Sequence, residues 1–301
     1  MYVITGATGN IGSKTADILL TKGENVRVVG RSAARLQTFV DHGAEAAVGD
    51  LKDGVFAARA FSGATAVFTM IPPNYTAPDF RAYQNEVSDA LAAGIDKAGV
   101  KYVVNLSSQG ADLSEGSGPI LGLREQELCF KRLGEVNILH LRPTYFMENL
   151  LMNIPLINRM GIAGSAVHGD LKFAMIATSD IASCVAERLV KRDFAGKTVQ
   201  DLLGERDLSL SEAVAIIGRR IGKPDLKYVQ FLYEDAAKGM MEMGISEDAS
   251  SLFIEMCEAL NNGLFSVGLK RTAENTTPTS IEEFAETFAY HFETSAMRKA
   301  A

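Results

Sequence analysis

The chain is poor in the residues that build disulfide frameworks and metal sites. It holds three cysteines and four histidines in 301 residues. Cys129, Cys184 and Cys257 are odd in number, far apart and set in apolar surroundings. They read as reduced core thiols rather than a disulfide set. His42, His140, His168 and His291 are equally scattered, and no pair has zinc-ligand spacing. No metal is therefore expected. No apolar run approaches the roughly 20 residues of a membrane helix. The chain opens on a strand-like run, so no secretory leader is expected. Long basic runs are missing too, and the net charge is −7, which argues against tight duplex binding. The expectation is a cytoplasmic protein acting on small molecules, with no nucleic-acid or membrane partner.

What is present is ordinary for a folded protein, with 47% apolar and 22% charged residues. The length suits one large α/β domain, alone or with a smaller appendage. Its first segment carries the most information. The apolar run Tyr2-Val3-Ile4 leads into Thr5-Gly6-Ala7-Thr8-Gly9-Asn10-Ile11-Gly12, and an apolar-periodic stretch follows. That is the order strand, glycine turn, helix. Glycine permits φ > 0 and leaves no Cβ between backbone and ligand. A helix start offers unpaired N–H groups to a pyrophosphate. Gly12-Ser13-Lys14-Thr15 superficially suggests a P-loop, but Gly6 and Gly12 enclose five residues and Lys14 does not follow Gly12 directly. The remaining alternatives are a dinucleotide turn and an empty βα turn.

The rhythm continues. Strands are expected at Val26–Val29, Ala44–Val48, Ala66–Met70, Lys101–Leu106 and Val136–Leu141. Helices are expected at Ala33–Asp41, Val55–Phe61, around the stripe Tyr83, Val87, Leu91 and Ile95, and at Arg124–Leu133. Alternation with short connections predicts a doubly wound parallel sheet covered on both faces. Residues 110–122 read as a loop. Beyond 150 the rhythm loosens into a smaller, mainly helical C-terminal part. There, Ser209-Leu210-Ser211-Glu212 is a capping box, Leu226–Phe231 reads as a strand, and Tyr233–Met243 and Asp248–Leu260 read as helices. Met240, Met241, Met243 and Met256 on these helices suit either core filling or an adaptable apolar pocket.

Three positions flank the turn. An NAD site would place an acid after the second strand, to bond the ribose 2′-OH. This chain has Gly30-Arg31-Ser32 instead, with Arg35 one turn on. A guanidinium suits a 2′-phosphate, so NADP is the expected cofactor; the competing reading is a solvated Arg31. Asp50 suits either an adenine amino group or an N-cap for the next helix. Met70, Ile71 and Pro72 lie beyond the fourth strand, where they would wall the ribose and nicotinamide. Ser107 leaves the fifth strand at the same edge. The expected division is an NADP-binding Rossmann domain over residues 1–150 and an interleaved substrate-binding part over 151–301.

Gly6–Gly12, Gly30-Arg31, Gly49-Asp50-Leu51 and Leu106-Ser107-Ser108 together resemble the extended or atypical short-chain dehydrogenases. Leu141-Arg142-Pro143-Thr144-Tyr145-Phe146-Met147-Glu148-Asn149-Leu150 narrows the resemblance to the NmrA-like group, as does Asp180-Ile181-Ala182. The resemblance implies a Rossmann fold, NADP and a small-molecule substrate. The group includes quinone, dye and iminium reductases as well as NADP-sensing regulators, so a homodimer or a regulatory protein partner is also within its range. A typical short-chain dehydrogenase works with a serine and a Tyr-x-x-x-Lys pair. Here no such pair follows Ser108. Many relatives instead carry His or Lys four residues before a glutamate. Glu127 matches that glutamate, but Leu123 stands at the polar position with Arg124 beside it. The expected catalytic groups are therefore Ser107, Arg124 and Tyr145. The functional expectation is an NADPH-dependent reductase of a quinone-, imine- or dye-like acceptor; the alternative is a sensor without activity.

Overall fold

Seven parallel strands form the sheet on which the molecule is built. The structure, a computed structural model, describes residues 1–266 and 268–300. Its first half runs β1 (Tyr2–Ile4), α1 (Asn10–Thr21), β2 (Val26–Gly30), α2 (Ala33–Asp41), β3 (Glu45–Val48), α3 (Gly54–Phe61), β4 (Ala66–Thr69), α4 (Phe80–Ala98), β5 (Tyr102–Leu106), α5 (Ile120–Lys131) and β6 (Asn137–Pro143). The second half runs β7 (Tyr145–Phe146), α6 (Ile154–Met160), β8 (Ile162–Ser165), β9 (Phe173–Ile176), α7 (Thr178–Lys191), β10 (Lys197–Leu202), β11 (Asp207–Leu208), α8 (Leu210–Arg220), β12 (Lys227–Gln230), α9 (Tyr233–Glu242), α10 (Glu247–Asn261) and α11 (Ile281–Ala300).

The large sheet has the order β10-β6-β5-β4-β1-β2-β3. Its central strands are apolar on both faces: Val3, Ile4, Val67, Phe68, Val103 and Val104 are all 0% exposed. Such strands bury fully only between two helical layers. On one face Ile4, Phe68 and Leu141 meet α1, α2 and α7. On the other, Val3, Val67 and Val103 meet α3, α4 and α5. Strand order reverses beside β1, between β2 and β4, and this opens a crevice at the carboxyl ends of the strands.

Helix starts follow local chemistry. Ser32 accepts from the Arg35 N–H, Asp53 from Val55 and Phe56, and Asp79 from Ala82. Ser209 and Glu212 complete the expected capping box. The α5 helix begins at Ile120, inside the stretch expected to be loop and four residues before the expected start. Pro119 stands at its entry, where a missing N–H costs no intrahelical bond.

Residues beyond 150 contain more strand than their pattern suggests. Lys197–Leu202 joins the large sheet in parallel beside β6. Its mixed residues are half-exposed at the sheet edge, which hides the two-residue period. The other strands are short and fixed by their partners. The β7, β9 and β11 strands form a three-stranded sheet, and β8 pairs with β12. With α6, α8 and α11 they enclose a second core, centred on Met147, Met175, Ile217 and Phe288.

The α10 helix is tied to the segment that follows β4. Its Ala249 meets Ala77 and Phe80 in a small cluster, and Asp248 accepts from the Phe80 N–H at 2.7 Å. The α9 helix buries no residue, and Met241 on it and Met243 just past it are exposed. These two methionines do not fill the core. Among the described residues no helix is long and apolar enough to cross a membrane.

Candidate active site

The glycine turn is shaped by contacts that exclude side chains. Gly6 has φ +61°, and Met70 lies directly over it. A Cβ on Gly12 would stand 2.3 Å from the Gly6 carbonyl oxygen, so only glycine lets α1 approach β1 this closely. The Gly9 N–H donates to the Gly6 carbonyl at 2.9 Å. Gly9 also occupies the N-cap of α1, and no side chain caps that helix. No acid lies in its first turn either. Gly9 and Asn10 are exposed, Thr8 is half-buried and Ile11 is buried. The helix therefore points free N–H groups and the positive end of its dipole at the crevice, as a phosphate requires. Lys14, which invites a P-loop reading, is engaged elsewhere: it donates to Thr178 at 2.9 Å and lies 3.5 Å from Glu148.

Charge gathers at the outer end of the turn. Arg35 donates to the Thr8 carbonyl at 2.9 Å. Arg31 is exposed just past β2. Asp50 is exposed past β3, and its carboxylate accepts from the Lys52 N–H at 3.0 Å. It does not cap α3, which is the work of Asp53. Burial raises the pKa of the Tyr83 hydroxyl, with Asp50 adding to the rise and Arg31 opposing it. That hydroxyl donates to the Pro72 carbonyl at 2.8 Å. Met70 and Pro72 are half-buried, and Ile71 is buried. The turn, Arg31, Asp50, Met70–Pro72 and Ser107 thus all leave the carboxyl ends of neighbouring strands.

A buried polar row underlies this edge. Thr69 donates to Asn105 at 2.9 Å, and Asn105 meets His140 Nδ1 at 3.1 Å. Register places these three side by side across β4, β5 and β6. Burial pushes the His140 pKa down to about 4, so the ring is neutral and its Nδ1 accepts from the Asn105 amide. The signal in sequence is one polar residue inside each apolar strand.

Two positions further along from Asn105, Ser107 donates to Glu127 Oε1 at 2.5 Å. Arg142 holds the same carboxylate in two bonds, at 2.9 Å and 2.6 Å. Glu127 is thus the acceptor at the centre of the group. Arg142 faces Asp201 across the β6–β10 pair, and burial raises the Asp201 carboxyl. Arg124 lies three residues before Glu127 on α5 and turns away from this group. It donates to the Asp112 carbonyl at 2.9 Å and to that of Ala111 at 3.4 Å.

Tyr145 follows β6 at the same end of the sheet. Its ring lies 5.3 Å from that of Phe173. Burial, with Tyr228 and Cys257 nearby, raises its pKa. The neighbouring Tyr228 is anchored, with its hydroxyl 2.6 Å from Ser165 Oγ and donating to the Val167 carbonyl at 2.7 Å. His168 is exposed and meets Gln230 at 3.1 Å. Burial pushes the Cys257 thiol up to about 11, in keeping with an inert group.

A model of the NmrA-like family matches residues 2–285. The chain belongs to the NmrA-like family. Two residues of the segments that carried the resemblance are structural ties in this NmrA-like chain. Glu148 accepts from the Thr178 N–H and so holds the start of α7. Asp180 accepts from the Thr279 N–H at 3.0 Å and from its hydroxyl at 2.6 Å, which fixes the approach to α11. Neither partner is near in sequence, so spacing alone could not reveal them.

The uncharacterized oxidoreductase YesF of Bacillus subtilis (strain 168) is 26% identical over 300 residues, 96% of each chain. Among solved structures, the NADPH-dependent quinone oxidoreductase QOR2 of Escherichia coli is 22% identical with a TM-score of 0.74, over 95% of this chain and 99% of that one. The triphenylmethane reductase of Citrobacter sp. is 17% identical with a TM-score of 0.78, over 96% and 99%. At these identities the two structures share the fold with this NmrA-like chain.

Proposed function

We propose that the protein is an NADPH-dependent reductase that delivers hydride to a small quinone-, imine- or dye-like acceptor. The observation that carries this reading is the uncapped N-terminus of α1 behind a turn that tolerates no side chain at Gly12. These residues fit a dinucleotide. The free N–H groups at Gly9–Gly12 would take the pyrophosphate. Arg31, with Arg35 beside it, would take the 2′-phosphate. Met70, Ile71 and Pro72 would wall the ribose and nicotinamide, and Asp50 would meet the adenine. QOR2 has been solved with NADPH and the Citrobacter reductase with NADP(H), which supports the same choice.

The bound cofactor supplies the hydride. The protein orients the acceptor and excludes water. Tyr145 keeps its proton at neutral pH because burial disfavours the phenolate. Its hydroxyl is the group we assign to hydrogen-bond the acceptor heteroatom. Arg124 ties the loop before α5 to that helix through the Asp112 carbonyl, and so acts on the site by position. Unpaired cysteines suit a reducing compartment, in keeping with a cytoplasmic enzyme.

The test is NADPH oxidation against a panel of quinones, imines and cationic dyes. Turnover above background with at least one acceptor, reduced several-fold or more by Tyr145→Phe, is expected. NADPH binding without turnover of any acceptor would favour a sensor instead.

A further inference from the structure

Ser107 has one hydroxyl proton, and the structure shows where it goes. A serine hydroxyl offers one donor and two acceptor lone pairs. The Ser107 proton is given to Glu127 Oε1 at 2.5 Å. Glu127 cannot return one, because Arg142 donates to both of its oxygens. Arg142 is itself fixed between Glu127 and the β10 edge, with Asp112 at 3.9 Å. The ion pair is well shielded, with 16% and 11% side-chain exposure for Arg142 and Glu127. The Ser107 N–H is also spent, on the Leu141 carbonyl at 2.8 Å. The hydrogen-bonding capacity left to the Ser107 side chain is its lone pairs.

We infer that Ser107 is a fixed hydrogen-bond acceptor that reads the carboxamide N–H of the nicotinamide, with Glu127 and Arg142 as positioning residues. This rests on the NADPH reading above. Ser107 follows β5, the strand next to β4, whose end carries the Met70–Pro72 wall. It is 3% exposed, so it is shielded from bulk water. A carbonyl oxygen arriving there would meet lone pairs and be repelled, so an acceptor molecule's oxygen must be served from elsewhere. The carboxamide carries both a carbonyl and an N–H₂, and this site selects the N–H₂ side.

The test uses the full chain and measures binding. NADP⁺ is titrated against its 3-acetylpyridine analogue, which keeps the carbonyl and replaces the N–H₂ with a methyl group. The wild type should bind the analogue roughly five- to tenfold more weakly, the worth of one hydrogen bond. Ser107→Ala should bring the ratio of the two dissociation constants close to one. Ser107→Thr keeps the hydroxyl and should restore it. Glu127→Ala should lower the ratio, because it removes the acceptor of the Ser107 proton and frees that proton to point elsewhere. A merely structural role for Glu127 would weaken both nucleotides alike and leave the ratio unchanged. A wild-type ratio of one, or a ratio that survives Ser107→Ala, overturns the inference while leaving the NADPH reading intact. If neither nucleotide binds, the NADPH reading falls and takes this one with it.

Discussion

Gly12 and Gly6 meet so closely that a Cβ on Gly12 would lie 2.3 Å from the Gly6 oxygen. The contact joins the first helix to the first strand and sets the shape of the phosphate turn. Gly12→Ala should therefore be destabilising, even though alanine is the better helix former by about 1 kcal/mol. Gly239, inside α9, supplies the contrast: a Cβ there meets nothing within 4 Å. Gly239→Ala should stabilise by roughly 0.5–1 kcal/mol. Thermal melts of the two variants should move in opposite directions, and Gly12→Ala should also lose much of its NADPH affinity. Equal shifts would show that helix propensity, not the close approach, governs Gly12.

Arg31 and Arg35 should separate in their effects on cofactor choice. Arg31 is exposed beyond β2, whereas Arg35 is tied to the Thr8 carbonyl. Arg31→Ala should weaken NADPH by roughly ten- to a hundredfold, the range for a charge-assisted hydrogen bond, and NADH little. Arg35→Ala should weaken both, because it also loosens the turn. Fluorescence titration with each nucleotide measures this. Equal loss of NADPH and NADH in Arg31→Ala would remove the 2′-phosphate assignment.

His140 should make stability depend on mildly acidic pH. Its folded-state pKa is lowered from 6.5 to about 4 by burial. Between these values the unfolded chain binds the proton and the folded chain does not. Stability therefore falls as pH drops from about 6.5 towards 4, and is fully present above that window. The size is on the order of 3 kcal/mol. Urea melts across this range should show the slope, and His140→Asn should flatten it. An unchanged slope in the variant would assign the acid sensitivity to other groups.

The alternation of strands and helices through Leu141, the glycine turn and the basic residue after β2 were all legible in the residue order. Those features are local: apolar period, capping residues and glycine spacing act within a few positions of one another. Ser209 and Glu212 were readable as a capping box for the same reason. Of the short strands beyond 150, β12 lies within the expected Leu226–Phe231, whereas β8, β9 and β11 were not legible, because each is fixed by a pairing partner far away in the chain. The roles of the polar residues also waited on the folded arrangement. Ser107, Glu127 and Arg142 come from three elements, and Asp180 holds Thr279 across 99 positions. Hydrogen bonds of that separation leave no period or spacing to read, because the fold alone brings donor and acceptor together.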